Sequence, residues 1–236
     1  MATRRLPAVV PGGLSKVSPE RRSSKFKTHR APTQWKGILE QGRRLAKAGD
    51  PEGVEILLTG LRWRYDTARN QAIREIAELG RDLVPRLMGL ARLAPTAVER
   101  GAAIDILTFV GDRRALPVLR RSLRDKNMVV RRAATAALVR FNDRRAVPQI
   151  SRLLSDPSGG VRVWAAEALG RLKDPRALPA LLRATKDPKW YVRLEAIRAL
   201  GGFADRRSIP RFRNALKDPR PGVRKAAQDA LARAKT

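Results

Sequence analysis

The chain has 236 residues, 43% hydrophobic and 5% aromatic, with no cysteine and 51 Lys plus Arg against 22 Asp plus Glu, a formal charge of +29. That apolar share suffices for one compact domain or one elongated array, the dominance of Ala, Leu and Arg favours packed helices over a β-sandwich, and so large an excess of one sign points to a polyanion, nucleic acid first. Disulfides and cysteine-ligated metal are excluded, no run of about 18 uncharged apolar residues is present to cross a membrane as a helix, and LPAVVPGGL at 6–14 is too short and too broken by Pro and Gly for a signal-peptide core.

Residues 1–36 hold nine Lys/Arg and one acid, Glu20, with neither helical nor alternating apolar period. This composition predicts an extended basic tail, in which Arg21, Arg22, Lys25, Lys27 and Arg30 are candidate phosphate contacts. An organelle transit peptide, also rich in Arg and poor in acid, is the alternative.

From residue 37 a repeat governs the chain. Val130, Val161, Val192 and Val223 recur every 31 residues, each followed by Arg and by an alanine-rich run ending at Leu138, Leu169, Leu200 and Leu231. One unit earlier the same register gives Glu99-Arg100 and Leu107. Asp112, Asp143, Asp174 and Asp205 form a second column and Asp125, Asp156, Asp187 and Asp218 a third. Register held over four periods marks an array of stacked units. Upstream, 68–98 and 37–67 carry a fainter version, so the pattern predicts about six and a half units over 37–236.

Each unit reads as two helices. In the first, helix A, Val161, Ala165, Ala168, Leu169 and Leu172 fall at three- and four-residue steps and predict one buried stripe. Gly111 and Asn142 suit the left-handed turn that stops a helix, whereas Lys173 and Ala204 depart from that pattern. Asp174-Pro175 then caps and opens helix B, with Ala177, Leu178, Leu181 and Ala184 facing inward. A hairpin this small must bury its apolar face on its own copies.

The units V-R-x-x-A-x-x-A-L-G and D-x-R-A-L-P-x-L-x-x-x-L-x-D resemble short HEAT-like repeats of the phycobilin-lyase type, closely over 99–234 and weakly over 37–98. The resemblance implies an all-α, right-handed α-solenoid, with helix A on the convex side and helix B lining a concave binding face. It leaves the activity open, because such repeats are generic platforms.

The repeat itself contains arginines. Those of the V-R pair (100, 131, 162, 193, 224) and those two after the hairpin aspartate (114, 145, 176, 207) read as partners of the two aspartate columns in an ion-pair ladder between units. Setting aside these nine cations and eight aspartates leaves 42 basic and 14 acidic residues, so the excess is not a by-product of the repeat. On helix B the outward columns are Arg120, Ser151, Leu182 and Arg213; Arg121, Arg152, Arg183 and Asn214; and Arg124, Ser155, Lys186 and Lys217. They contain no acid and share one flank of the helix, which predicts a basic stripe, rich in the arginine that suits bidentate phosphate contacts. Trp63 and Tyr65, and Trp190 and Tyr191, interleave ring with charge at unit boundaries; they either stack an unpaired base or cover the seam between units. Trp164 reads as packing.

No catalytic constellation is present. The single histidine, His29, lies in the tail, which leaves no Ser-His-Asp set, no His/Cys metal site and no call for a cofactor. A HEAT-like DNA glycosylase for alkylated bases shares a basic groove and tryptophans, but its aromatic-rich repeats are missing and no catalytic residue maps. A chromophore lyase fits a +29 chain without cysteine poorly. The sequence therefore predicts a non-enzymatic solenoid that binds nucleic acid, RNA within a ribonucleoprotein in preference to DNA, with cytoplasmic location expected and organelle import the alternative. A scaffold for an acidic protein is the rival from another class.

Overall fold

The computed structural model describes residues 34–62 and 66–234. Among these residues it is all helix, thirteen α-helices in alternation. Helices of type A are α1 (Trp35–Lys47), α3 (Asp66–Glu78), α5 (Ala97–Val110), α7 (Met128–Arg140), α9 (Gly159–Leu172), α11 (Trp190–Gly201) and α13 (Pro221–Ala234). Between them lie the B helices α2 (Pro51–Gly60), α4 (Val84–Leu93), α6 (Leu116–Ser122), α8 (Val147–Arg152), α10 (Leu178–Ala184) and α12 (Ile209–Ala215). Successive A helices pack side by side, and each B helix packs on the A helix that follows it. The result is an α-solenoid.

The expected stripe is the core. Val161, Ala165, Ala168, Leu169 and Leu172 of α9 are buried against Ala177, Leu178, Leu181 and Ala184 at the start and along α10, and the neighbouring units repeat the arrangement. The small residues set how closely A helices approach. A Cβ on Gly170 would lie 2.9 Å from Cβ of Ala199, so α9 and α11 meet with no room for a side chain there.

Helix B enters through a 3₁₀ turn. Asp112, Asp174 and Asp205 accept a hydrogen bond from the backbone N–H two residues on. Proline follows within the first two positions of α6, α8, α10 and α12, where a missing N–H leaves no bond unmade. Before each turn the chain passes through the left-handed region at Gly111, Asn142, Lys173 and Ala204. Lys173 and Ala204 therefore adopt the stop conformation without the residue types that favour it, because the turn geometry is imposed by the packing of the two helices it joins.

The V-R arginines form the ladder. Arg162 Nε and Nη2 donate to Asp187 at 2.7 and 3.0 Å, while Nη1 donates to the carbonyls of Asp156 and Pro157 at 2.8 and 3.3 Å. Arg100 with Asp125 and Arg193 with Asp218 repeat the arrangement, and Arg131 meets Asp156 at 2.7 Å. Each guanidinium thus ties the loop before its A helix to the loop 25 residues on, at the end of the next B helix. Among the described residues Arg224, in the last unit, keeps only the carbonyl bonds to residues 218 and 219.

Arg162 is 11% exposed and Asp187 7%. Replacing Arg162 with Met strands a nearly buried carboxylate and should cost about 3 kcal/mol in urea unfolding, part of it recovered in the Arg162→Met/Asp187→Leu double variant. Ala204→Gly relieves the positive φ and should raise stability by about 0.5–1 kcal/mol; a lowered midpoint would contradict the turn assignment.

Candidate nucleic-acid interface

The B helices present the cations that the sequence places outward. Arg121 and Arg124 follow α6 to its end, Arg152 closes α8, Arg183 and Lys186 lie at the end of α10, and Arg213 and Lys217 at the end of α12. All seven are exposed, and none has a side-chain partner among the described residues. Ser151, Leu182, Asn214 and Ser155 interrupt the columns without adding an acid.

Arg120 departs from the expectation. It donates from Nε and Nη2 to Asp143 at 2.6 and 3.0 Å, a bidentate bond to the next hairpin turn, and so acts as scaffold instead of outward surface. Asp143 in turn makes no cap bond and does not pair with Arg145, which sequence spacing had assigned to it. Arg145 is exposed and without a side-chain partner among the described residues. The two arginines exchange roles because Arg120 is long enough to reach across the seam where Ser151 and Leu182, its equivalents, are not.

Elsewhere the hairpin arginines pair as expected. Arg114, Arg176 and Arg207 each reach back to the aspartate two residues earlier at 2.7 Å. Arg114 and Arg176 also donate to the carbonyls of Arg81 and Arg144 in the preceding turn.

An open groove of about 620 Å³ runs between α4 and α6, walled by Val84, Pro85, Met88 and Pro117 and edged by Arg92, Arg114 and Arg121. Arg92 was not legible as a stripe member. The proline of this unit, Pro85, sits 32 residues before Pro117 instead of 31, so Arg92 aligns with Arg124 only after a one-residue shift. Upstream the face is neutralised locally, since Arg86 of α4 pairs with Glu55 of α2.

The aromatic candidates divide. Trp63 and Tyr65 lie outside the described residues, as do Arg21, Arg22, Lys25, Lys27 and Arg30. Tyr191 covers the start of α9, where a Cβ on Gly159 would come within 2.6 Å of its hydroxyl, and this places the ring in the seam. Trp190 is 40% exposed, edge-on to Tyr191 with centroids 5.7 Å apart, and Arg220 lies 5.8 Å over its ring. Trp164, expected as packing, is also 40% exposed and carries Arg132 over its ring at 5.4 Å, beside a groove on the A helices that includes Val98 and Asp105.

A stack of A and B hairpins tied by an Arg–Asp ladder is matched by sequence as well as by shape. The profile described as HEAT repeats matches residues 54–139, 122–189 and 181–236. The chain belongs to the HEAT-repeat family. No curated protein matches it. Among solved structures, a designed armadillo repeat protein in complex with the peptide (KR)4 is 17% identical, with a TM-score of 0.55 over 86% of this HEAT-repeat chain and 100% of that one. An engineered protein is 18% identical, with a TM-score of 0.54 over 86% and 97%. Human deoxyhypusine hydroxylase is 20% identical over 85% and 80%, with a TM-score of 0.47. For the designed armadillo repeat protein and the engineered protein, at these identities, the likeness is one of fold.

The electrostatics give a pH prediction. Arg176 holds the Asp174 carboxyl down to about 2, and Arg114, Arg207 and Arg193 hold those of Asp112, Asp205 and Asp218 below the usual carboxylate range. A carboxyl lowered in the folded state stabilises above its unfolded value, about 4, and loses that contribution as pH falls through the folded value. The urea midpoint of the HEAT-repeat chain should be flat from about pH 5 to 8 and fall steadily below about pH 4. A midpoint unchanged down to pH 2 would contradict the pairing.

Proposed function

We propose that this HEAT-repeat solenoid is a non-enzymatic protein that clasps the phosphate backbone of nucleic acid along its B helices, with structured RNA in a ribonucleoprotein as the partner in preference to DNA. The observation that carries the reading is the set of seven exposed cations on α6, α8, α10 and α12 and at their ends that have no side-chain partner among the described residues. Framework pairing does not account for them, because the ladder and the hairpin aspartates are satisfied by other arginines.

The sign of the face selects the partner. A designed armadillo repeat protein of similar fold is complexed with the basic peptide (KR)4; the B face of this chain has the opposite requirement and would repel such a peptide. Contacts to phosphate fix register without reading bases, so the reading implies weak sequence preference and steep salt dependence. The RNA preference rests on the layout, eight Lys/Arg against one acid in residues 1–34 ahead of a solenoid of the same sign. An acidic protein is the competing occupant of the same face.

The test is the triple variant Arg121→Glu, Arg152→Glu, Arg183→Glu. Binding of a structured RNA at low salt, followed by fluorescence anisotropy, should weaken by on the order of 100-fold, and the log–log salt slope should fall by about 3, with far-UV circular dichroism unchanged. Unaltered affinity would move the site to the tail or the A helices. Failure of the parent protein to retain or shift any nucleic acid at low salt would overturn the reading in favour of the acidic protein.

A further inference from the structure

The arginines two residues after the hairpin aspartates differ from the ladder in one physical respect. Ladder side chains Arg100, Arg131, Arg162 and Arg193 are 7% to 17% exposed. Arg114, Arg176 and Arg207 are 60%, 57% and 69% exposed despite their ion pairs, and Arg145 is exposed with no side-chain partner among the described residues. In the three paired cases the aspartate takes Nε and Nη2, and Nη1 has no bond among the described residues. A carboxylate therefore grips the inner edge of each guanidinium and holds the outer edge toward solvent. Such a side chain has little rotamer freedom left to lose on meeting a phosphate.

The turns remain positive even with the aspartates counted. Exposed Arg113, Arg144 and Arg206 precede the hairpin arginines Arg114, Arg145 and Arg207, and exposed Lys173 serves the turn that has Pro175 at that place. At the second turn Asp143 is neutralised by Arg120, so Arg144 and Arg145 both stand uncompensated there.

Spacing then relates this row to the helix row. Arg114 and Arg121, Arg145 and Arg152, and Arg176 and Arg183 are each seven residues apart on a 3₁₀ turn running into a short helix. Seven residues bring the second side chain back over the first, about 11 Å further along the axis. Arg114 and Arg121 do edge one groove. Repeated at the roughly 10 Å separation of packed helices, the pairs make two parallel rows of cations along the solenoid. A single strand offers one line of phosphates to such a surface. A duplex offers two, on either side of a groove about 6 or 12 Å wide.

We infer that the B face takes double-stranded nucleic acid, the hairpin row (Arg114, Arg145, Arg176, Arg207) on one backbone and the helix row (Arg121, Arg152, Arg183) on the other. This rests on the nucleic-acid reading above and names the form of the partner. One unit of about 10 Å then advances by about three base-pair steps.

The experiment titrates the full chain against a DNA duplex, an RNA duplex and the corresponding single strands of mixed sequence at several salt concentrations. One or both duplexes should bind at least tenfold more tightly than their strands, and the duplex that does so identifies the source. Arg145→Ala, which breaks no bond among the described residues, should weaken duplex binding about threefold, lower the salt slope by about 1 and leave single-strand affinity unchanged. Arg207→Ala should weaken duplex binding in the same sense. Equal affinity for strand and duplex, or full duplex affinity in both variants, would overturn the inference while leaving phosphate binding by the helix row intact. Absence of binding to all four probes would instead overturn the underlying nucleic-acid reading.

Discussion

The bond between Arg162 and Asp187 is the constraint on which the solenoid depends. Its guanidinium holds two carbonyls of the loop behind and a carboxylate of the loop ahead, and the same Asp187 accepts the backbone N–H of Lys189 to shape the turn into α11. One side chain thus fixes both the start of an A helix and its distance to the next. Apolar burial drives the units together without preferring one spacing, whereas five donors in a rigid plane accept only one arrangement of oxygens. Repetition of that arrangement along the chain joins each of these units to the next through the same pair of groups.

A joint repeated at the same sequence position is what turns scattered cations into a surface. Arg121, Arg152 and Arg183 are separated by whole units, so their regularity comes from the ladder and not from any contact among themselves. Every ladder Arg except Arg224 has its Asp, so the ladder adds almost nothing to the charge balance, and part of the excess that remains stands on the exposed side chains of the B helices. Scaffold and working surface use the same residue type and differ in what lies opposite: a buried carboxylate in one case, solvent in the other. The hairpin arginines stand between these extremes, gripped on one edge and open on the other.

The fold was legible because each of its causes leaves a periodic mark. Val161, Ala165, Ala168 and Leu169 announce a buried stripe, Arg162 and Asp187 the ladder, and Asp174 the entry to helix B. Legibility ended where one unit differs from its copies. Arg120 shares a column with Arg213 and differs from it in having an aspartate, Asp143, 23 residues on, where Arg213 has Thr236; the approach of α6 to that turn shows that Arg120 is engaged and Arg145 released. Arg92 was hidden by a one-residue slip at Pro85. Trp164 sits at a core-like step from Val161, yet its neighbours on α7 are too small to cover it, and Arg132 shields one face instead. Charge at a periodic position is a sound sign of a surface; whether a given guanidinium serves it is decided by the partner within reach.

Arginine-selective labelling read by mass spectrometry, with and without bound nucleic acid, tests the division most directly. Arg100, Arg131, Arg162 and Arg193 should resist labelling in both states, and Arg121, Arg152 and Arg183 should label readily alone and be protected in the complex. Equal reactivity of the two groups, or no protection of the second, would contradict the account.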